Sequence, residues 1–166
     1  VVTGASRGIG KEMAESFGKA GTHVVCVSRS KDALKSVADT INKNGGSASA
    51  HPCDVSSLDA YQEMIKETVA NYGSVDILIN NVGASPSRNF LYMSDADWQS
   101  LHELNLLSAV RCTRHCLPTM RKQKWGRVIM VASGAAKYPN AALIDYGTTK
   151  AAMISILVLQ LNLHVH

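Results

Sequence analysis

An α/β fold follows from the sequence: a parallel sheet doubly wound by helices, with strand order 3-2-1-4-5. Short β-branched runs alternate with helix-period segments along the chain. A glycine-rich turn, Thr3 to Gly10, separates the first strand from the first helix. Right-handed crossovers between parallel strands then favour that order. A length of 166 residues suits one domain, 1–166, with a sizeable core.

Each element has its own signal. Val1 to Thr3 reads as the end of a strand, and Lys11 to Lys19 as a helix. His23 to Val27 is a β-branched run typical of a buried strand. Asp32 to Lys43 carries Leu34, Val37, Ala38 and Ile41 at helical spacing, and Asn44-Gly45-Gly46 ends it. Ser47 to His51 is a strand. Leu58 to Tyr72 is a helix, capped by Ser56 or Ser57 and closed by Gly73. Val75 to Ile79 is a strand. Asp95 to Met120 holds two helical stretches with a break or bend between them. Val128 to Ala132 is a strand, and from Asp145 onward the chain is helical. Residues 159–166 alternate apolar and polar, which is a strand period.

Composition narrows the function classes. Hydrophobic content of 46% and charged content of 18% are globular values. The net charge of +4 is scattered, apart from Arg121, Lys122, Lys124 and Arg127. Such a cluster reads as a solvated helix end, so nucleic acid is not expected as a partner. No apolar run reaches membrane-spanning length, so no membrane partner is expected either. Cys26, Cys53, Cys112 and Cys116 form no CxxC pair. They read as free thiols, with no metal site, in a reducing compartment such as the cytoplasm, an organelle being left open. No signal peptide is visible, and the abrupt opening at Val1 suggests a missing upstream segment.

The turn from Thr3 to Gly10 has the chemistry of a phosphate cradle. Gly4, Gly8 and Gly10 permit a tight turn and close backbone approach. The following helix start offers free N–H groups and a positive dipole end, and Ser6 adds a hydroxyl donor. The spacing is GxxxGxG rather than GxGxxG, and a plain strand–helix connector is the ordinary alternative.

Tyr146 and Lys150 lie four residues apart, one helical turn on one face. An ammonium beside a phenol favours the phenolate and suits the tyrosine to proton transfer. Five tyrosines and this lysine content give roughly 0.3 such pairs by chance, so the pair needs context.

That context resembles a known family. Thr3 to Gly10, Asn80-Asn81-Val82-Gly83, Asn105, Ser133, and Tyr146 with Lys150 are together similar to the short-chain dehydrogenase/reductase family, from residue 1 to about residue 155. Within it the resemblance is to 3-oxoacyl-carrier-protein reductases and related ketone reductases. It implies a Rossmann-type fold and hydride exchange between NAD(P) and a carbonyl or secondary alcohol carbon. Tyr146 would then be the general acid/base. Lys150 would hold the nicotinamide ribose, and Ser133 would donate to the substrate oxygen. Asn105 would hold a water linking Lys150 to solvent. Each has an ordinary reading too: a surface Ser133, a helix-interior Asn105, a solvated Lys150. Ile9 and Gly83 would join the cofactor contacts. Asp54-Val55 would meet the adenine, although Asp54 also suits a helix N-terminus. Asn81 would lie near the adenosine ribose, and Val82 replaces the family's usual alanine.

Charge bears on the cofactor. An acid at the end of the second strand would bind the NAD 2′-hydroxyl and repel a 2′-phosphate. Ser28-Arg29 stand there instead, with Arg7 in the glycine loop, and two guanidinium groups can clamp a phosphate. NADP(H) is therefore expected over NAD(H). Ala135, Ala136, Pro139, Ala142 and Leu143 suggest an apolar wall near Tyr146. The substrate is expected to be a small carbonyl or alcohol.

The chain stops at His166, where the resemblance implies further strands, a Pro-Gly turn at the nicotinamide and a segment closing over substrate. A divergent terminus, an alternative product and an incomplete chain all fit. The open sheet edge would be covered by missing residues, a partner subunit or the tail. Two functions follow. One is an active NADP-dependent reductase. The other is a catalytically incomplete nucleotide-binding or subunit-interaction fragment. Helices over 105–123 and 146–159 have the apolar content of a subunit interface or of a simple cover for the sheet, and the resemblance implies pairing through them into a homodimer or homotetramer.

Overall fold

The computed structural model describes residues 1–161, with the side chains of residues 1–156. Among the described residues five parallel strands form one sheet in the order β3-β2-β1-β4-β5, the Rossmann-type order expected. The strands are β1 (Val2–Thr3), β2 (His23–Ser28), β3 (Ser47–Pro52), β4 (Ile77–Asn80) and β5 (Arg127–Met130). Val2 is flanked by Cys26 of β2 and Ile79 of β4, so β1 occupies the centre.

Strand β2 shows why the sheet is covered twice. Val24 and Cys26 pack on one face, with Ala14 of helix α1 (Gly8–Lys19) and Leu34, Val37 and Ile41 of helix α2 (Lys31–Lys43). Val25 and Val27 point the other way, to Tyr61 and Met64 of helix α3 (Leu58–Tyr72) and Cys112 of helix α5 (Ser108–Lys122). Alternate residues of one strand thus feed two apolar layers, and the run has no polar face. The edges differ. β3 is small and polar, whereas β5 leaves Ile129 41% exposed.

Several boundaries depart from expectation. Helix α1 begins at Gly8 rather than Lys11, because the last glycines of the loop form its first turn despite their poor helix propensity. Val75 is buried but lies outside the ladder; β4 starts at Ile77. Neither Ser56 nor Ser57 caps α3 with its side chain. Ser57 holds the N-cap position without such a bond, and the Ser56 hydroxyl donates to Asp54 instead. The break expected within 95–120 is a π turn, Glu103–Leu107, between helix α4 (Asp95–His102) and α5. Helix α6 spans Ile144–Leu161, so the strand period read over 159–166 does not hold for residues 159–161. Residues 162–166 lie outside the described residues.

The ends of β1, β2, β3, β4 and β5 lead directly into Gly4, Arg29, Asp54, Asn81 and Ser133, respectively, or to within three residues of them. The carboxyl edge of the sheet therefore collects the expected site residues, as open parallel sheets do.

Candidate active site

The glycine loop is pinned from β4. Thr3 Oγ1 donates to the Ile79 carbonyl at 3.1 Å and accepts the Asn81 N–H at 2.9 Å. Asn81 Nδ2 donates back to the Thr3 carbonyl at 3.0 Å and reaches the Gly4 carbonyl at 3.4 Å. Asn81 therefore shapes the loop through its side chain. Gly4 sits at φ +69 and Gly8 at φ +54, in the left-handed region. A Cβ on Gly10 would stand 2.2 Å from the Gly4 carbonyl oxygen. The α1 start has no side-chain cap and no acid in its first turn, so its N–H groups and dipole face the cleft uncompensated. Ser6 is half-buried beside them, and Ile9 is 65% exposed at the mouth.

The two arginines have different neighbours. Arg29 lies close enough to Asp54 to help hold that carboxyl below its ordinary value, after the larger effect of the Ser56 hydroxyl. Arg7 instead lines a cleft with Gly83, Pro86, Arg88, Leu101 and Leu104. Ser28 accepts the Ser30 N–H, and no acid stands at the end of β2. Asp54 accepts from the Ser56 N–H and hydroxyl, at 3.0 and 2.6 Å. The Val55 side chain is core, 4% exposed, so only its backbone can face a ligand.

Beside this cleft, α6 packs against the π turn and the Asn81–Gly83 loop. Lys150 is 3% exposed. Its Nζ donates to the Val131 carbonyl at 2.7 Å and stands 5.8 Å from the centre of the Tyr146 ring. Burial pushes its amine below the ordinary value. A Cβ on Gly83 would lie 3.4 Å from Lys150 Nζ and 3.5 Å from Asn105 Oδ1, so the bare glycine backbone packs directly over both groups. Asn105 is fully buried, and its amide is spent. Its Oδ1 accepts the Ala84 N–H at 2.8 Å, while Nδ2 donates to the Ala84 carbonyl at 2.9 Å and Thr149 Oγ1 at 3.2 Å. A water held by Asn105 would therefore fall to its backbone rather than its amide.

Ser133 begins a short 3₁₀ turn, Gly134–Ala136, and its Oγ accepts the Ala135 N–H at 3.2 Å. The first turn of α6 packs on that turn: a Cβ on Gly147 would meet the Ala135 carbonyl at 3.1 Å. Ser133 and Tyr146 thus come from touching elements. Of the expected apolar wall, Ala135, Ala136 and Leu143 are partly buried, whereas Pro139 and Ala142 are exposed.

Two residues and one role escaped the sequence reading. Thr3, the first residue of the expected turn, joins β1 to β4. Asp145, just before Tyr146, is fully buried, and Arg88 lies 3.3 Å from it. The aspartate showed only as a helix start, and the arginine as one scattered charge. Among the described residues no group of histidine, cysteine and acidic side chains could hold a metal, and no helix is long and apolar enough to cross a membrane.

Residues 1–164 match the family model described as short chain dehydrogenase. The chain is 37% identical over 155 residues to a 3-oxoacyl-[acyl-carrier-protein] reductase of Synechocystis, covering 93% of this chain and 63% of that protein. Among solved structures, a metagenomic short-chain oxidoreductase in complex with NADP superposes with a TM-score of 0.92 at 33% identity, over 98% of this chain and 76% of that one. L-sorbose reductase of Gluconobacter frateurii, complexed with NADPH and L-sorbose, gives 0.90 at 33% identity, over 93% and 59%. The chain spans between 50% and 64% of the length of the curated relatives it matches.

Proposed function

This chain belongs to the short chain dehydrogenase family, and we propose that it is an NADP(H)-dependent oxidoreductase acting on a small carbonyl compound or secondary alcohol. One observation carries the reading: a buried lysine amine lies against the Tyr146 ring, on the same sheet edge as an uncapped, glycine-lined helix start.

The residues present suit a dinucleotide. Gly4 and Gly10 let the turn close tightly on Asn81, Gly8 presents bare backbone with no atom within 4 Å of its Cβ position, and the N–H groups opening α1 suit its pyrophosphate. Arg29 and Arg7 supply positive charge for a 2′-phosphate, and the end of β2 has no acid to oppose one. Asp54 and the Val55 backbone suit the adenine, and Lys150 the nicotinamide ribose. When bound, the cofactor supplies or accepts the hydride. Tyr146 gives its phenolic proton to the substrate oxygen in reduction and takes it back in oxidation. The Lys150 charge stabilises the phenolate left behind, and the Ser133 hydroxyl donates to the same substrate oxygen. The buried Asn105 holds Ala84 against α6, keeping Gly83 over Lys150.

The solved relatives that carry NADP or NADPH support the cofactor choice. The substrate is proposed to be a ketone or β-ketoacyl group. The cytoplasm suits the four buried thiols, and pairing through α5 and α6 into a dimer or tetramer is the proposed assembly, checked by sedimentation. A second reading, nucleotide binding or subunit interaction without turnover, needs only the uncapped glycine-lined start of α1 and the faces of α5 and α6. Cofactor fluorescence titration combined with NADPH oxidation against a ketone panel decides between them. Turnover lost by a factor of ~100 or more in Tyr146→Phe with binding kept supports the oxidoreductase. Binding without turnover in the parent supports the second reading. Arg7→Ala with Arg29→Ala should weaken NADPH far more than NADH; equal losses would sink the NADP assignment.

A further inference from the structure

Asp145 is a carboxylate with no exposed surface, one residue before Tyr146. Burying an ionised carboxylate is costly unless it is paired and hydrogen-bonded. Here both oxygens are engaged. Oδ1 accepts the backbone N–H of Tyr146 itself at 2.8 Å, and Oδ2 lies 3.3 Å from Arg88 Nη1. The same Nη1 stands 3.3 Å from Asp97 Oδ1, in the first turn of α4. One guanidinium nitrogen therefore joins the starts of two helices. The Arg88 N–H also donates to the Ala142 carbonyl at 3.1 Å, just before α6 begins. Ala84 is clamped by Asn105, so the loop carrying Gly83 is anchored at both ends of the 84–88 stretch.

We propose that Arg88 is a positioning residue for Tyr146: through Asp145 it fixes the first turn of α6 and locks the 84–88 loop, which lines the cleft, onto that turn. Arg88 takes no part in the proton or hydride step. It acts through the Asp145 carboxylate on the backbone that carries the phenol, and its loop sets the distance between the cleft wall and Tyr146. The inference rests on the oxidoreductase reading only for its kinetic consequence. The mechanical link stands on the geometry alone.

The test measures Tyr146 amide hydrogen exchange, NADPH affinity and turnover in Arg88→Ala, Arg88→Lys and Asp145→Asn. Exchange at Tyr146 and Gly147 should rise at least ~10-fold in Arg88→Ala and in Asp145→Asn, relative to amides in the β2–β4 core. NADPH affinity should stay within about twofold, because the glycine loop is untouched and Asn105 still holds Ala84 beside Gly83, while kcat falls ~10-fold or more. Arg88→Lys keeps a single charged nitrogen, as the Nη1 bridge uses, but on a differently shaped stem, and should recover part of both losses. Should Arg88→Ala fail to fold, the near-isosteric Asp145→Asn decides. Exchange at Tyr146 unchanged in Asp145→Asn overturns the proposal. So does an exchange rise spread evenly over the core, which would mark a merely structural pair. A parent chain that binds no NADPH defeats the oxidoreductase reading, yet leaves the exchange experiment able to support or overturn the link.

Discussion

Replacing Gly10 with alanine should dislocate the loop at the mouth of the cleft. The added methyl would stand 2.2 Å from the Gly4 carbonyl oxygen and 2.5 Å from Asn81 Nδ2. Neither neighbour can easily retreat. Gly4 is held at φ +69 between β1 and the loop, and Asn81 Nδ2 is bonded to the Thr3 carbonyl. Overpacking against backbone costs roughly 3 kcal/mol, and loosening the Asn81 amide adds about 1 kcal/mol. Alanine recovers about 1 kcal/mol by helix propensity, since Gly10 lies in the first turn of α1. The balance is a loss of about 3 kcal/mol, which for a chain of this size lowers Tm by roughly 6–12 °C. Thermal unfolding by circular dichroism, with urea denaturation beside it, measures this. Gly8→Ala is the control: no atom lies within 4 Å of its Cβ, and only the left-handed backbone at φ +54 resists, at roughly 1 kcal/mol. If Gly10→Ala melts no lower than Gly8→Ala, the clash argument is refuted.

Other outcomes follow from the same site. Burial holds the Lys150 amine below its ordinary 10.5, so the unfolded chain binds that proton more tightly. The charged lysine therefore destabilises the fold in full below its folded pKa, and the penalty fades as pH climbs from there towards 10.5. Lys150→Met should accordingly melt above the parent at about pH 7, with the gap narrowing by about pH 10; a gap constant with pH would count against it. Asn105→Ala takes the partners of the Ala84 N–H and carbonyl away, while the Thr149 hydroxyl keeps its bond to the Tyr146 carbonyl, and should cost about 2–4 kcal/mol in urea unfolding; a loss under about 1 kcal/mol would show the clamp to be slack. Burial pushes Cys112 and Cys116 up to about 12, and Cys26 and Cys53 up to about 11. A thiol reagent at about pH 8 should leave the folded protein untouched and label all four cysteines on unfolding; fast labelling of the native state would contradict this.

Much of the fold was readable because its signals are local. The apolar run from His23, the helical spacing of Leu34, Val37, Ala38 and Ile41, and the glycine punctuation after Lys43 and Tyr72 each report their own element. Boundaries were less readable where local preference and tertiary demand disagree. Gly8 and Gly10 are poor helix formers, yet they open α1: Gly8 stands in the left-handed region at φ +54, and only glycine at position 10 clears the Gly4 carbonyl. The alternation over 159–161 mimics a strand period within a helix. The π turn at Glu103–Leu107 appeared only as a break, since widening one turn leaves no compositional mark.

The sequence by itself determined the sheet order, and it singled out the glycine turn, Asn105, Ser133, Tyr146 and Lys150 as candidates, because periodicity and motif spacing are properties of the chain. It could not say that the Asn105 amide is consumed by Ala84, or that Val55 turns into the core. Nor could it show that Arg88 ties Asp145 and Asp97, across 57 residues in one case, into a single charged link beside Tyr146. Those are matters of which polar groups meet once the backbone has closed. A buried carboxylate must find a partner wherever the fold supplies one, and only the tertiary structure decided that its partner was the arginine of the cleft loop.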